Sequence, residues 1–291
     1  MKYKLKKKIP VTIVIPTLGY NHLKLCLNKI NINTHIPYEV IIIIPKKNFN
    51  QVKGYTQNYK NLKIRVILSK KKNQVHQRII GFKMSKTQFV MQLDDDVNLH
   101  KNCLIKLYNF LKRKDNSAVA PRYINNNEIS KIYKKPNKPL LLFYHWLINS
   151  SKGFDPGKIS LSGFNYSEED KLIGYKQHDW LSGGAVMHYK KNLVLRNYYP
   201  YQFKRSFCED ILHSIILTKK KITLYKYFEA KASAKISGNI TQSLSKFQIL
   251  NDFYSEFLIR RYIVKKFNLS ETRLIIYYLI YFLRIILKIL K

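Results

Sequence analysis

The block Val40-Ile41-Ile42-Ile43-Ile44 most narrows what this chain can fold into. Five consecutive β-branched residues favour an extended strand, and a strand with no polar side for water must be covered on both faces. Parallel sheets sandwiched between helices meet that condition, and in them strands and helices alternate along the chain. The surrounding sequence alternates in that way. Strand signals fall at Val11–Ile15, Tyr38–Ile44, Ile64–Leu68 and Phe89–Leu93. Between them lie helical patterns over Asn21–Ile30, through Leu23, Leu27 and Ile30, and over Val75–Met84. A helix over Leu104–Leu111 and a short strand at Ala118–Ala120 come next. The expected fold is α/β, a doubly wound, mostly parallel sheet flanked by helices, with ligands beyond the carboxyl ends of its strands.

From Asn125 to Gln177 the pattern dissolves into Lys, Asn, Gly and Pro among aromatics, as in a functional or mobile insertion. Order returns with a strand at Ala185–His188, a helix from Ser206 to about Leu217, a late strand at Ile222–Tyr225 and helix from Gln248 onward. Leu274–Leu283 is apolar or tyrosine throughout, but Arg284, Lys288 and Lys291 break up the remainder, short of the about 20 apolar residues a membrane span needs. On a helical wheel Arg273, Arg284, Lys288 and Lys291 fall within about 60° of one another, flanked by Tyr277 and Tyr281. A narrow basic stripe with a broad apolar face fits a helix lying in the headgroups of an anionic membrane surface. A core helix or a dimer contact is the alternative.

The formal charge of +36 points to polyanionic partners: nucleic acid, an anionic membrane face or phosphorylated substrates. Part of it reflects a composition heavy in Lys, Asn, Ile and Tyr, which A/T-biased codons also produce. The scarcity of acids makes the clustered ones informative. The three cysteines, Cys26, Cys103 and Cys208, lie far apart and fit reduced thiols in an intracellular protein. Met1–Lys8 resembles a signal n-region, but the apolar run behind it is too short for an h-region, so an unsecreted protein is expected.

The strand Phe89–Leu93 runs straight into Asp94-Asp95-Asp96. Carboxylates at the end of a sheet strand suit a hard divalent cation shared with substrate phosphates, although solvated turns and helix caps have the same composition. Four further features are ordered around this triplet: Pro16-Thr17 after the first strand, Arg78 and Gly81 on the preceding helix, Trp180-Leu181-Ser182-Gly183-Gly184, and Glu209-Asp210. Paired glycines permit close backbone approach but also make plain tight turns. Trp180 suits either stacking on a sugar or a core position. Ser206 to Glu209 has the spacing of a capping box, which gives Glu209 a structural reading but leaves Asp210 unexplained. His188 and His213 are further candidate metal ligands without supporting spacing.

In that order and separation the chain, over about Val11 to Tyr225, resembles the inverting glycosyltransferases of family 2 with the GT-A fold. The family reads strand-Pro-Thr, an Ala-Arg-Asn-x-Gly helix, Leu-Asp-x-Asp, a Gly-Gly acceptor segment and a Glu-Asp pair. The resemblance implies a nucleotide-diphosphate sugar donor bound by Pro16, Thr17, Arg78, Asp94 and Asp95. It implies a Mn²⁺ or Mg²⁺ cofactor on Asp96, acceptor contacts at Trp180, Gly183, Gly184 and Glu209, and Asp210 as the general base. It also implies a division into a nucleotide-sugar half over 1–122, an acceptor half over 123–235 and a helical region over 236–291. Where the family reads its donor's uracil with an Asp, this chain has Ile44-Pro45-Lys46-Lys47. Ile79 and Gln77 replace the Asn and Ala of the helix motif.

The expected function is metal-dependent, inverting transfer of a sugar to a cell-surface glycan or lipid-linked acceptor. The expected location is cytoplasmic, peripheral on the inner face of the cell membrane, with no nucleic-acid partner. A basic nucleic-acid-binding protein would leave the carboxylates idle and shows no known motif. A GT-A-fold nucleotidyltransferase leaves Asp210 without a role, and an inactive scaffold is the remaining alternative.

Overall fold

A computed structural model describes residues 6–124, 138–150, 156–165, 173–201, 203, 206–234 and 246–290. The first half alternates as expected, with one helix, α2, that the sequence reading did not mark: β1 (Lys7–Pro16), α1 (His22–Asn31), β2 (His35–Pro45), α2 (Phe49–Thr56), β3 (Ile64–Ser69), α3 (Gln74–Met84) and β4 (Phe89–Leu93). These strands pair in parallel in the spatial order β3-β2-β1-β4. Ile41 to Ile44 are all fully buried, each stabilising the sheet by about 1.5–3 kcal/mol relative to exposure. The one carboxylate of that strand, Glu39, is buried and accepts from the Arg65 guanidinium, Nε to Oε2 at 2.9 Å. On α1, Leu23, Cys26, Leu27 and Ile30 face the core at helical spacing.

The second half contains β5 (Val97–Leu99), α4 (Cys103–Lys112), β6 (Ser117–Tyr123), α5 (Pro139–Asn149), β7 (Tyr175–His178), β8 (Ala185–Tyr189), α6 (Glu209–Lys219), β9 (Thr223–Ala234), α7 (Lys246–Lys266) and α8 (Glu271–Leu290). It extends the same sheet in mixed fashion. β8 runs antiparallel to β4 and to β6, β9 parallel to β6, and β5 and β7 antiparallel to β9. The sheet is thus continuous across the division expected after residue 122. The reversal of chain order between β1 and β4 is a topological switch point, where such sheets open a crevice at the carboxyl ends of their strands.

Elements of the second half also depart from the sequence reading. Within the stretch read as irregular, α5 is a helix of almost uninterrupted apolar residues with Pro139 in its first turn, a position that proline favours. Of that stretch, 125–137, 151–155 and 166–172 lie outside the described residues. β9 extends nine residues past Tyr225, its inward residues Leu224, Lys226, Phe228, Ala230 and Ala232 alternating as a half-buried strand requires. β5 comes directly after the Asp triplet and is held by a partner far along the chain. Cys26, Cys103 and Cys208 are free thiols.

The tail divides in two at Asn268, a left-handed residue between α7 and α8. Leu274 and Tyr278 of α8 are buried. Arg273, expected in a lipid-facing basic stripe, instead donates to the Trp146 and Leu147 carbonyls at the end of α5, to Trp146 at 2.6 Å. Carbonyls in the last turn of a helix attract such a cation. The side chains of Arg284 and Lys288, and all of Lys291, lie outside the described residues. No helix among the described residues is long and apolar enough to cross a membrane.

Candidate active site

A pocket of 340 Å³ opens at the switch point. Pro16 and Thr17 line it from the end of β1, Asp94, Asp95 and Asp96 from the end of β4, Gln74 and Gln77 from α3, and Phe203 and Ser206 from the approach to α6. A larger groove of 680 Å³, lined by Lys83, Gln88 and Lys190, lies at the amino end of β4. Parallel sheets bind at the other end, and the acids gather there.

The frame around the pocket is cross-tied and closely packed. Gln77, the residue in place of the family's Ala, donates from Nε2 to the Thr17 carbonyl at 3.0 Å and the Ile43 carbonyl at 2.8 Å. It thereby ties the ends of β1 and β2 together. Gly81 sits where a Cβ would come within 2.3 Å of Val14 Cγ1 and 2.7 Å of Ile43 Cδ1. The glycine lets α3 lie against the sheet, and α3 carries Gln74, Gln77 and Arg78.

The three aspartates point in different directions. Asp94 Oδ1 accepts from Arg78 Nη2 at 2.7 Å and from Gln74 Nε2 at 2.9 Å. Asp95 Oδ2 accepts from the Thr17 hydroxyl, which itself accepts from the Gly19 amide at 2.8 Å. Burial pushes the Asp95 carboxyl up to about 6, against the Thr17 bond and helped by Asp96 and Asp94. Burial and Asp94 raise Asp96 as well. These are carboxylates short of positive charge.

The antiparallel pairing of β8 with β4 explains how a segment 90 residues downstream reaches the triplet, for Leu93 pairs with Ala185 and the Asp94 amide donates to the Gly184 carbonyl at 2.8 Å. Neither Gly183 nor Gly184 has a positive φ. Close packing demands them instead. A Cβ on Gly183 would lie 2.5 Å from Glu209 Oε1 and 3.3 Å from Asp210 Cβ, and one on Gly184 would lie 2.8 Å from the Tyr123 hydroxyl. The glycines expected to meet the acceptor thus make room for the site's own carboxylates. Trp180 is half-buried and does not line the pocket.

Arg78 departs from its expected place against the nucleotide, for only 1% of it is exposed and it does not line the pocket. Its guanidinium joins the two acidic clusters: Nη1 donates to Glu209 Oε1, while Nη2 donates to Asp94 and, at 3.2 Å, to the Gly183 carbonyl. Burial works against its charge, but Glu209 and Asp94 outweigh it and hold the arginine protonated. Glu209 Oε2 also accepts from the Tyr198 hydroxyl at 3.0 Å. The capping box does not form, because the Glu209 carboxylate is committed to these two donors and Cys208, at φ 53°, takes the N-cap position. Tyr198 and Gln74, unmarked in the sequence, complete the clamp.

Asp210 lies next to it on the first turn of α6, and its Oδ1 accepts from the Ile211 amide at 2.9 Å. Burial, then Glu209 beside it, push its carboxyl up to about 6. A carboxylate poised there is a competent base at neutral pH. If Asp210 is the proton acceptor, turnover should rise with pH until it is ionised, falling about tenfold per unit below pH 6, as a pH–rate profile measures. His188 and His213 are buried behind Arg78 with ring centroids 5.5 Å apart, and burial lowers both, His213 to about 3. Neither lines the pocket.

The model of glycosyl transferase family 2 matches residues 12–192. No curated protein matches the sequence. Among solved structures, one of GalNAc-T7 with UDP, GalNAc and Mn²⁺ is similar at TM-score 0.57 and 16% identity, over 77% of this chain and 42% of that one. S. aureus TarS is similar at TM-score 0.48 and 13% identity, over 87% of this chain and 39% of that one. The chain thus spans less than half the length of either structure. The likeness to GalNAc-T7 identifies the sheet and its flanking helices as a GT-A fold, and the matched segment contains the strand-Pro-Thr, Arg78, Asp94–Asp96 and Gly183-Gly184 signatures. By that match over more than half of its length, the chain belongs to glycosyl transferase family 2.

Proposed function

We propose that the protein is a metal-dependent, inverting glycosyltransferase. It passes a sugar from a nucleotide-diphosphate sugar to a cell-surface glycan or lipid-linked acceptor at the cytoplasmic face of the membrane. One observation carries the reading: Arg78 joins Asp94, on the wall of the pocket, to Glu209, the neighbour of Asp210. A leaving diphosphate needs positive charge, and an attacking hydroxyl needs a base.

The residues present fit a hard cation. Three carboxylates line one wall, two of them with raised affinity for protons, and Asp94 and Asp95 each have one oxygen occupied by a protein donor. Among the described residues no group of three or more His, Cys, Asp or Glu could hold a metal, so a cation here would draw further oxygens from the donor's diphosphate, as Mg²⁺-type sites do. Asp96, with help from Asp94, would hold it. The ion would stabilise the charge of the departing diphosphate, and GalNAc-T7 was crystallised with Mn²⁺ and UDP. Thr17 and Asp95 would meet the nucleoside end, and Asp210 would take the acceptor's proton.

Thermal shifts measured with UDP, GDP, CDP and dTDP should show one nucleotide raising the melting temperature with Mn²⁺ and much less without it. Asp96→Ala should abolish the Mn²⁺-dependent part. No response to any nucleotide would overturn the reading, and a full Mn²⁺ response in Asp96→Ala would remove that residue from the metal.

A further inference from the structure

Twelve of the 22 large hydrophobic side chains that the described residues expose lie on α5, α7 and α8, helices that lie outside the sheet. On α8, Ile275, Leu279, Phe282 and Leu283 are exposed within about 100° of arc; Leu279 and Leu283 lie on the side away from the buried Leu274 and Tyr278, and Phe282 borders them. Leu279 and Leu283 are 59% and 60% exposed.

The neighbouring helices continue the layer. Phe253 of α7 packs on Tyr278 and Phe282 with ring centroids at 5.1 and 5.8 Å, and Phe247 and Tyr254 of α7 remain exposed. On the other flank α5 is tied to α8 by Arg273, which bonds its last carbonyls and lies over the Trp146 ring at 5.8 Å. Leu140 and Phe143 of α5 are 80% and 58% exposed. A soluble surface seldom gathers so much apolar area without a partner.

From this arrangement we infer that α5, α8 and α7 form one composite platform that lies on an anionic lipid bilayer. The inference deepens the membrane-facing acceptor reading above and rests on it. Charge decides between the candidate occupants. A second copy would bring a second charge of +36 against the first, whereas an anionic bilayer attracts that charge. The exposed Lys138 begins α5 beside Leu140, placing a cation at the rim of the apolar surface. Trp146, Tyr254 and Tyr281 are exposed and amphipathic, the side chains that favour the headgroup layer. No helix among the described residues is long and apolar enough to span, and the proposed contact is a shallow one shared by the three helices. α5 is inserted between β6 and β7, so the bilayer contact is built partly from within the catalytic domain.

Flotation of the full chain with equimolar phosphatidylglycerol–phosphatidylcholine vesicles, against phosphatidylcholine alone, tests the platform. Binding should require the anionic lipid and weaken with salt. Leu279→Asp with Leu283→Asp, and separately Leu140→Asp with Phe143→Asp, should each reduce it about tenfold or more. All four positions are exposed, so the melting temperature should hold. Binding by the α5 variant at the parent's level would overturn the composite platform. So would equal binding to neutral vesicles, or a concentration-dependent dimer that these substitutions disperse and vesicles do not compete. The nucleotide response is scored on the same preparations. In the parent chain, a nucleotide response without vesicle binding overturns this inference alone, and vesicle binding without a nucleotide response overturns the sugar-transfer reading alone.

Discussion

Asp210→Asn is expected to lower sugar transfer by about 10²–10⁴-fold, the contribution of a positioned general base, while the protein melts at the same temperature or higher. The two halves of that result have one cause. Burial and the neighbouring Glu209 raise the Asp210 carboxyl to about 6, above its value in an unfolded chain. Folding therefore favours the protonated form, and stability is lost as pH rises through the interval between those values. At neutral pH the native protein holds an ionised carboxylate that folding disfavours. A neutral amide of nearly the same shape removes that cost and keeps an acceptor for the Ile211 amide. Nucleotide binding with Mn²⁺ should be unchanged, because Asp210 does not line the pocket that holds the triplet. A stopped assay and a melting curve on the same preparation decide the matter. Retained transfer would remove Asp210 from the chemistry, and a fall of several degrees would make it a structural residue.

How much of this is legible in the sequence depends on how local each cause is. Val40 to Ile44 declare a strand covered on both faces, and the strands of the parallel half with α1 and α3 are readable to within a few residues, because strand and helix periodicity there is written in adjacent residues; the short α2 is not. The Asp triplet and Asp210 can be paired only through the order of motifs along a family pattern. What the pattern does not carry is direction. Arg78 lies on a helix that opens toward the pocket, yet its guanidinium turns inward because Glu209, 131 residues away, lies there. The glycines likewise answer to Glu209 and Tyr123, which no spacing rule connects to them. The α5 helix escapes notice although Pro139 and the apolar run behind it are visible, because flanking Lys and Asn residues dominate the window. One residue of the tail's basic stripe is placed differently for another reason: a helical wheel shows which residues share a face but not what covers it, and Arg273 meets the end of α5.

Arg78→Met is expected to cost about 3–5 kcal/mol of stability, the range for removing one partner of a buried ion pair. Two carboxylates depend on this guanidinium. Glu209 would keep only the Tyr198 hydroxyl, and Asp94 only Gln74 and the solvent of the pocket. Transfer should fall with stability, since Asp94 and the first turn of α6 would no longer be held in one frame. Arg78→Lys should recover little, because an ammonium cannot reach both acids through separate nitrogens as the planar fork does. The revealing experiment is the double variant Arg78→Met with Glu209→Gln. If the arginine acts by neutralising Glu209, removing both charges should restore much of the stability, whereas transfer should stay low because Asp94 remains unbraced. Urea unfolding of the four members of the cycle gives the coupling directly. Additive losses, or a cost below about 1 kcal/mol for Arg78→Met alone, would show that the clusters are held by the backbone and not by the guanidinium between them.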